Sequence, residues 1–474
     1  MTSNIVQIGV FAALTIAMAV ATWRVVRRMG PRGSTNRDVF LAGGSLKWPF
    51  VAGSITLTNL STDQLVGMNG TQMLLLAWWE LAALAGLAML AFVFLPVYYR
   101  EYCTTTTELL EKRYGSKHLR AAVSVLFLLG NVLIYLPITL YTGALFLRSI
   151  AGTDLPLLGL AALLGLGGSA YAILGGLRAV AVYDTIAGVG VLGMALLVVW
   201  LACAAIGFDF TGIPAKRLTM IGGPASPIPW PTLFTGMIFI QMFYWSTNQS
   251  ITQRAMAAPT LREGQKGVAA AAVIRLLIVP LIVVVPGVAA WKLFGTTGDA
   301  TYGRLAAAIM PPWLSGAFAA FMCAAVLTHY TSFLNSSTTL YVCDLHEAYV
   351  DAKPDVRRLN TWITLGFVAV SVALVPVYAG TVSIINLVQQ LNGLLSMPIL
   401  SVFIVGLVFR GVDARAAMLA LATGVALYAV FTFVWTPLHY IHLMAVTLAA
   451  CIATALAANT VLFGRLTQRR RAAD

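Results

Sequence analysis

Two polar stretches decide the fold: TNLSTDQ at residues 58–64 and YWSTNQSITQR at residues 244–254. Each interrupts an apolar run, 46–71 and 230–256, that is otherwise long enough to cross a bilayer, for which about 20 apolar residues suffice. Gly67, Asn69 and Gly70 follow the first interruption. A polar run at mid-membrane cannot face lipid; it lines a cavity or replaces helical hydrogen bonds. Between the two lie four more apolar runs, 73–99, 119–149, 154–177 and 179–206. The interrupted spans are therefore five apart and run in opposite directions. Paired interruptions of this kind point to an inverted repeat of five helices plus five, with the ligand site between the broken helices. The plainer alternative is two ordinary spans whose Ser, Thr and Asn side chains bond neighbouring helices.

Further apolar runs lie at 5–26, 267–292, 312–343, 359–379, 381–409, 413–435 and 438–463, so thirteen helices are expected. The first is called the extra helix and the rest helices 1 to 12. The fold class is an all-α polytopic membrane protein, residues 1–474 forming one transmembrane transporter domain. Within it, 5–26 is the extra helix, 46–206 the first repeat, 230–409 the second and 413–463 two peripheral helices. Composition agrees. Of 474 residues 59% are hydrophobic and 10% charged, against about 25% charged in soluble domains; mean hydropathy is +0.85. The runs are apolar all round, unlike the alternating strands of a membrane barrel.

The net charge of +13 does not call for a nucleic-acid partner, because the basic residues sit in short loops between spans. With the N-terminus outside, every Lys and Arg falls on the cytoplasmic side except Arg148, Lys216, Arg217, Lys292 and Arg304, which lie outside, and Arg275, which lies within a span. That asymmetry follows the positive-inside rule and puts the tail GRLTQRRRAAD in the cytoplasm. The first run lacks a basic segment before it, so it is expected to be a retained span rather than a signal peptide. The expected location is a bacterial-type inner membrane, with the lipid bilayer as surroundings and no obligate protein partner evident. Cys103, Cys203, Cys323, Cys343 and Cys451 have no metal-like spacing and are expected to be packing residues. No phosphate loop, metal-spaced His pair or nucleophile elbow is present, so no enzyme is expected. GLGGSAYAILGG at 165–176 ends a span and suits close helix packing.

Among the 17 acidic residues, Asp63, Glu80 and Asp184 fall clearly inside spans. A buried charge at mid-membrane is expensive and needs a partner or a function. Asn59, Gln64, Gln241, Gln389, Gln390 and Asn392 also lie at membrane depth. A lone amide there is commonly a helix–helix bond; several amides with a carboxylate suit a polyol, whose hydroxyls each donate and accept. Trp78, Trp79, Phe243, Tyr244 and Trp245 are candidates to cover an apolar sugar face, or to pack and belt the interface. Arg275 either snorkels toward the cytoplasm or donates to substrate oxygens. Hydroxyl residues crowd Thr328–Thr339 of helix 8; some pack, and some, with carbonyls freed at a helix break, can hold a hard cation. His329 lies in this run, as a packed core histidine or as a proton-titrating site.

At these residues the chain resembles the sodium:solute symporter family, and within it the sodium–sugar branch. FLAGGSLKWPFVAGSITLTNLSTDQLVGMNG (40–70), TELLEKRYGS (107–116), YAILGGLRAVAVYDTIAG (171–188), YWSTNQSITQRAMAAPTLREGQKG (244–267) and SFLNSSTTLYVCDL (332–345) carry the likeness in order along nearly the whole chain. The resemblance implies a LeuT-type fold with alternating access and sodium-coupled symport of a sugar or similar polyol. It puts substrate contacts at Asn59, Gln64, Glu80, Gln241, Arg275 and Gln389, with Gln241 in place of the usual Asn and Arg275 in place of the usual Lys. The inner gate falls on Tyr244 and the outer gate on Met68, Trp79 and Ile385, where an aromatic is usual for the last. The sodium site falls on the carbonyls of Leu57, Leu60 and Ala325 and on Thr328 and His329, with Asp184 near by. His329 stands where a Ser or Thr is usual, and imidazole is a poor sodium ligand but a good proton acceptor. Coupling by Na+, coupling by H+ through Asp184 and His329, and uncoupled passage of a sugar or other small polar solute therefore remain the alternatives.

Overall fold

The computed structural model describes residues 2–29, 33, 35–60, 62–151, 155–379 and 384–470. Ser61 of the first polar stretch, the expected span starts at 154 and 381, and Arg471 of the tail lie outside the described residues, as does the side chain of Asp63.

Almost everything described is helix, as it must be where lipid supplies no hydrogen-bond partners. Among the described residues, ten helices are long and apolar enough to cross a membrane unbroken: Ile5–Arg28, Leu74–Arg100, Lys117–Arg148, Leu157–Ala205, Leu261–Phe294, Pro312–Tyr349, Val356–Tyr378, Ile384–Val408, Ala414–Val434 and Tyr440–Val461. The fourth, Leu157–Ala205, is two expected spans joined without a loop. Gly176 turns the chain there, at φ 54° and ψ −159°, a region open in practice only to glycine. Helices 1 and 6 complete the thirteen. Each is two short pieces, Trp48–Asn59 with Thr62–Thr71, and Gly236–Ser246 with Gln249–Met256. Among the described residues the only strands are a two-residue antiparallel bridge, Phe409–Arg410 with Gln468–Arg469, which ties the tail to the end of helix 10.

Helix 8 lies at the centre of the bundle, with nearly all of Leu314–Leu340 buried. It packs on helices 4 and 5, on helix 3 and on the extra helix. The first half of helix 1, Trp48–Asn59, packs between helices 5 and 7, and the first half of helix 6, Gly236–Ser246, against helix 2. Helices 11 and 12 pair with each other and lean on helix 10. Lipid tails are as apolar as Leu, so these contacts depend on close fit rather than on expelling water. At Gly86 of helix 2 a methyl group would stand 2.1 Å from the carbonyl oxygen of Gln241, so only glycine lets helix 6 come this near. The five cysteines are free and buried.

Candidate substrate and ion site

The polar letters of both interruptions have local structural work. Helix 1 stops where Leu60, bonded through its N–H to the Thr56 carbonyl at 3.1 Å, leaves helical geometry at φ −86° and ψ 81°. Helix 6 stops at Ser246, and Asn248 restarts it: its side chain accepts from the Ser250 N–H at 3.0 Å and from the Ser250 hydroxyl at 2.8 Å. Asn is among the preferred residues at such an N-cap because it satisfies an amide that the helix cannot.

Between the two breaks lies a cavity. Its walls are the amides Asn59, Gln64, Gln241, Gln389 and Asn392, the aromatics Trp79, Tyr135, Tyr244 and Trp245, the aliphatics Ile240, Ile385 and Val388, and His329. The fold thus gathers Asn59, Gln64, Gln241 and Gln389 from helices 1, 6 and 10, with Trp79, Tyr244 and Ile385 of the expected gates. Met68 is buried beside this wall but is not part of it. On one side of the cavity helix 1 closes on helix 10, where a methyl group at Gly67 would be 3.2 Å from Ile385 Cβ. On the other, Gln253 of helix 6 donates to the Thr339 hydroxyl of helix 8 at 3.0 Å and to the Phe40 carbonyl at 2.6 Å.

Two of these amides are already engaged. Gln241 donates through Nε2 to the Trp79 carbonyl at 2.6 Å and accepts through Oε1 from the Trp245 indole at 2.8 Å. Gln64 donates through Nε2 to Glu80 Oε1 at 2.9 Å. Glu80 and Arg275 do not line the cavity. They form an ion pair behind its wall, with the side chains of both 1% exposed. Arg275 does not snorkel: its Nη1 donates to the Thr56 carbonyl at 3.3 Å and its guanidinium lies 4.6 Å from the centre of the Trp245 ring.

Of the expected ion ligands, His329 meets the break in helix 1, and Thr328 and Ala325 lie together on helix 8. Thr328 of helix 8 donates to the Ala325 carbonyl at 2.9 Å, which leaves the lone pairs of its oxygen for another donor or a cation. Ser332, one turn on, meets the Thr58 hydroxyl at 3.0 Å. His329 Nδ1 lies 2.6 Å from the Thr58 carbonyl. A carbonyl only accepts, so Nδ1 is the protonated nitrogen and a neutral ring has its basic atom at Nε2. The same ring lines the substrate cavity and packs on Phe333 with centroids 4.7 Å apart. Most other hydroxyls of this run, those of Thr331, Ser337, Thr338 and Thr339, bond carbonyls one turn back, which is helix packing. Asp184 accepts from the Ser54 hydroxyl at 2.5 Å, and Ser54 in turn accepts from Arg254 Nε at 3.2 Å. All three are fully buried.

Arg254, the last residue of the second polar stretch, is fully buried and lies beside Asp184 and Ser54. Asp344 was not counted as buried. It has no exposed area and is held by Arg120 at 2.6 Å and Thr105 at 2.9 Å. Tyr135 was missed as a cavity residue. It ends a π-helical turn, Asn131–Tyr135, just before Pro137. Proline has no N–H for the carbonyl of Leu133, four residues back, and that carbonyl accepts from the Tyr378 hydroxyl instead. A proline beside a mid-span tyrosine was the available signal.

Comparison with known proteins accords with this arrangement. The profile described as "Sodium:solute symporter family" matches residues 39–424. The chain is 36% identical over 473 residues to the "Uncharacterized symporter YidK" of Escherichia coli K12, covering 94% of this chain and 82% of that one. It is 30% identical to a sodium/glucose cotransporter of Vibrio parahaemolyticus, covering 89% and 84%. It is 27% identical to a sodium/myo-inositol cotransporter 2 of Oryctolagus cuniculus, covering 86% and 67%. Among solved structures, a substrate-bound, outward-open sodium-coupled sialic acid symporter superposes with a TM-score of 0.83 at 18% identity, covering 99% of both chains. A closed form of the nucleobase-cation-symport-1 transporter Mhp1 superposes at 0.58 with 15% identity, covering 89% and 94%. These two establish a shared fold. By its matched length and its relatives, this multi-pass membrane protein is a transporter and not an enzyme, and it belongs to the sodium:solute symporter family.

Proposed function

We propose that the chain is a sodium-coupled symporter that carries a sugar or similar polyol by alternating access, working as one transmembrane unit with its N-terminus outside. One juxtaposition supports the reading: a cavity with amide and aromatic walls is lined by Asn59, the last helical residue before the break of helix 1, and by His329, which meets the Thr58 carbonyl there. Amides of Asn59, Gln389 and Asn392 can both donate to and accept from ring hydroxyls, and Gln64 can accept through Oε1, while Tyr135, Tyr244 and Trp245 offer flat apolar faces to the carbon skeleton. The relatives that carry glucose and myo-inositol by name accord with a polyhydroxylated cargo. Sodium is cargo too. The oxygens of Leu57, Leu60, Ala325 and Thr328 would hold it, with Asp184 as the nearest acid on helix 5. A hard cation prefers such oxygens.

His329 supports a second reading, proton coupling, because its basic Nε2 belongs to a ring that touches both the helix break and the cavity. Uptake of labelled D-glucose, D-galactose and myo-inositol into proteoliposomes separates the two. A sodium gradient at equal pH should drive accumulation; accumulation driven only by a pH gradient without sodium overturns sodium coupling. In the sodium case His329→Ser supplies an oxygen ligand and lowers the sodium concentration for half-maximal uptake. In the proton case the same change abolishes accumulation.

A further inference from the structure

The Glu80–Arg275 pair is buried behind the cavity wall, and its contacts run to four helices. Glu80 is on helix 2 and Arg275 on helix 7. Through Gln64 and the Thr56 carbonyl the pair reaches both halves of helix 1, and through Trp245 it reaches helix 6. Trp245 then holds Gln241, and Gln241 holds the Trp79 carbonyl back on helix 2. The path is closed, and the two charges sit at its centre rather than at the cavity surface.

This arrangement settles the direction of one amide. An ionised carboxylate only accepts hydrogen bonds, so Glu80 requires the NH2 end of Gln64 to face it, as it does at 2.9 Å. The carbonyl end, Gln64 Oε1, is then turned away; it is buried and has no partner among the described residues. Gln64 lines the cavity. A buried acceptor without a donor is costly, and a substrate hydroxyl is a donor that can reach it. On the other side, the guanidinium over the Trp245 ring fixes the indole that closes the wall.

We propose that Glu80 and Arg275 are positioning residues and not substrate ligands: their ion pair turns the Gln64 carbonyl toward the cavity and clamps the Trp245 ring, so the site presents an acceptor that selects a hydroxyl donor at that place. The proposal rests on the polyol-transport reading above. It departs from the family resemblance, which put both charges on the sugar. Arg in place of the usual Lys fits the difference, because a guanidinium can meet a carboxylate, a backbone carbonyl and an aromatic face together, where an ammonium is a point charge.

The test is a double-mutant cycle of Glu80→Gln and Arg275→Met in the full-length protein. Gln at position 80 can still accept from Gln64, and Met at 275 can still pack on the Trp245 ring. Two readouts are taken: the thermal unfolding midpoint in detergent, and KM and maximal rate for D-glucose, D-galactose and myo-inositol in proteoliposomes. Each single change leaves a buried charge without its partner, so each should lower the midpoint and raise KM by about tenfold or more. The double change should recover most of the midpoint and return KM to within about threefold of wild type. A double variant that recovers its midpoint but keeps the KM of the worse single variant means that the charges touch the substrate, and overturns the proposal. Additive losses of midpoint mean that the charges are not a pair, and also overturn it. If the wild type takes up none of the three probes, the polyol reading falls by itself, and the midpoint cycle still decides the pair.

Discussion

Asn69 is expected to hold helix 7 together from helix 1. Helix 7 contains Pro286 inside its run Val279–Phe294. Proline has no N–H, so the Ile282 carbonyl four residues earlier loses its helical partner, and the ring displaces the local ladder. The Asn69 carboxamide repairs both sides of the gap. Its Nδ2 donates to the Ile282 carbonyl at 3.1 Å and to the Leu65 carbonyl on its own helix at 2.8 Å, and its Oδ1 accepts from the Gly287 N–H at 2.8 Å. Asn69→Ala therefore orphans a buried acceptor and a buried donor on helix 7. Such a group costs about 1–3 kcal/mol, and interhelical bonds in membrane proteins measure about 0.6–1.7 kcal/mol. The expected loss is about 2–4 kcal/mol. Pro286→Ala restores the missing N–H and lets helix 7 satisfy itself, so in that background Asn69→Ala should cost about 1 kcal/mol or less. The assay is reversible unfolding in mixed micelles, followed by circular dichroism, for the wild type, both single variants and the double. Equal costs of Asn69→Ala in the two backgrounds, within about 0.5 kcal/mol, would refute the repair.

Three further outcomes follow from the site and its surroundings. Gln389→Ala should weaken binding of D-glucose or myo-inositol by about 1–3 kcal/mol, measured by calorimetry, since it removes one partner from a buried hydroxyl; unchanged affinity would leave Gln389 as wall only. Asp299 lies in the loop before helix 8, with its carboxylate under the Ile384 N–H at 3.2 Å and against Gly70. Burial pushes its carboxyl up to about 6, the Ile384 N–H pulling the other way. A raised carboxyl makes the packed arrangement most favourable below pH about 4, with that advantage lost as pH rises through about 6. The rate of thiol labelling of Ile385→Cys, divided at each pH by that of a free thiol so that thiolate formation cancels, should thus rise between pH 4 and 6.5, by no more than about tenfold given partial exposure, and Asp299→Asn should flatten that ratio. Finally, a Cys at position 2 should be labelled from outside intact cells and a Cys at 474 should not; the reverse would overturn the orientation.

What the sequence determined by itself was the membrane fold and the place of its interruptions. Lipid offers the backbone no partners, so apolar runs of span length have one outcome, and a polar run such as TNLSTDQ or STNQS has to break it. The order of the breaks, five spans apart, then required opposite directions, and the side chains near them were the candidates for the cavity wall. Tertiary structure alone decided what each polar group does there. Hydropathy carries no information on how far a helix is rotated or how closely it approaches its neighbour. Asn59, Gln64 and Gln389 face the cavity, while Glu80 and Arg275, equally polar and equally deep, face each other. Arg254 closes the second polar stretch, and only the fold shows that its guanidinium meets Ser54 beside Asp184. Asn69 follows the break in sequence, and only the contact with helix 7 shows that it serves the gap left by Pro286. Each of these differences comes from hydrogen bonds between residues far apart in the chain, whose partners are chosen by helix rotation and tilt, and one buried polar residue has the same composition whether it meets a substrate or another helix.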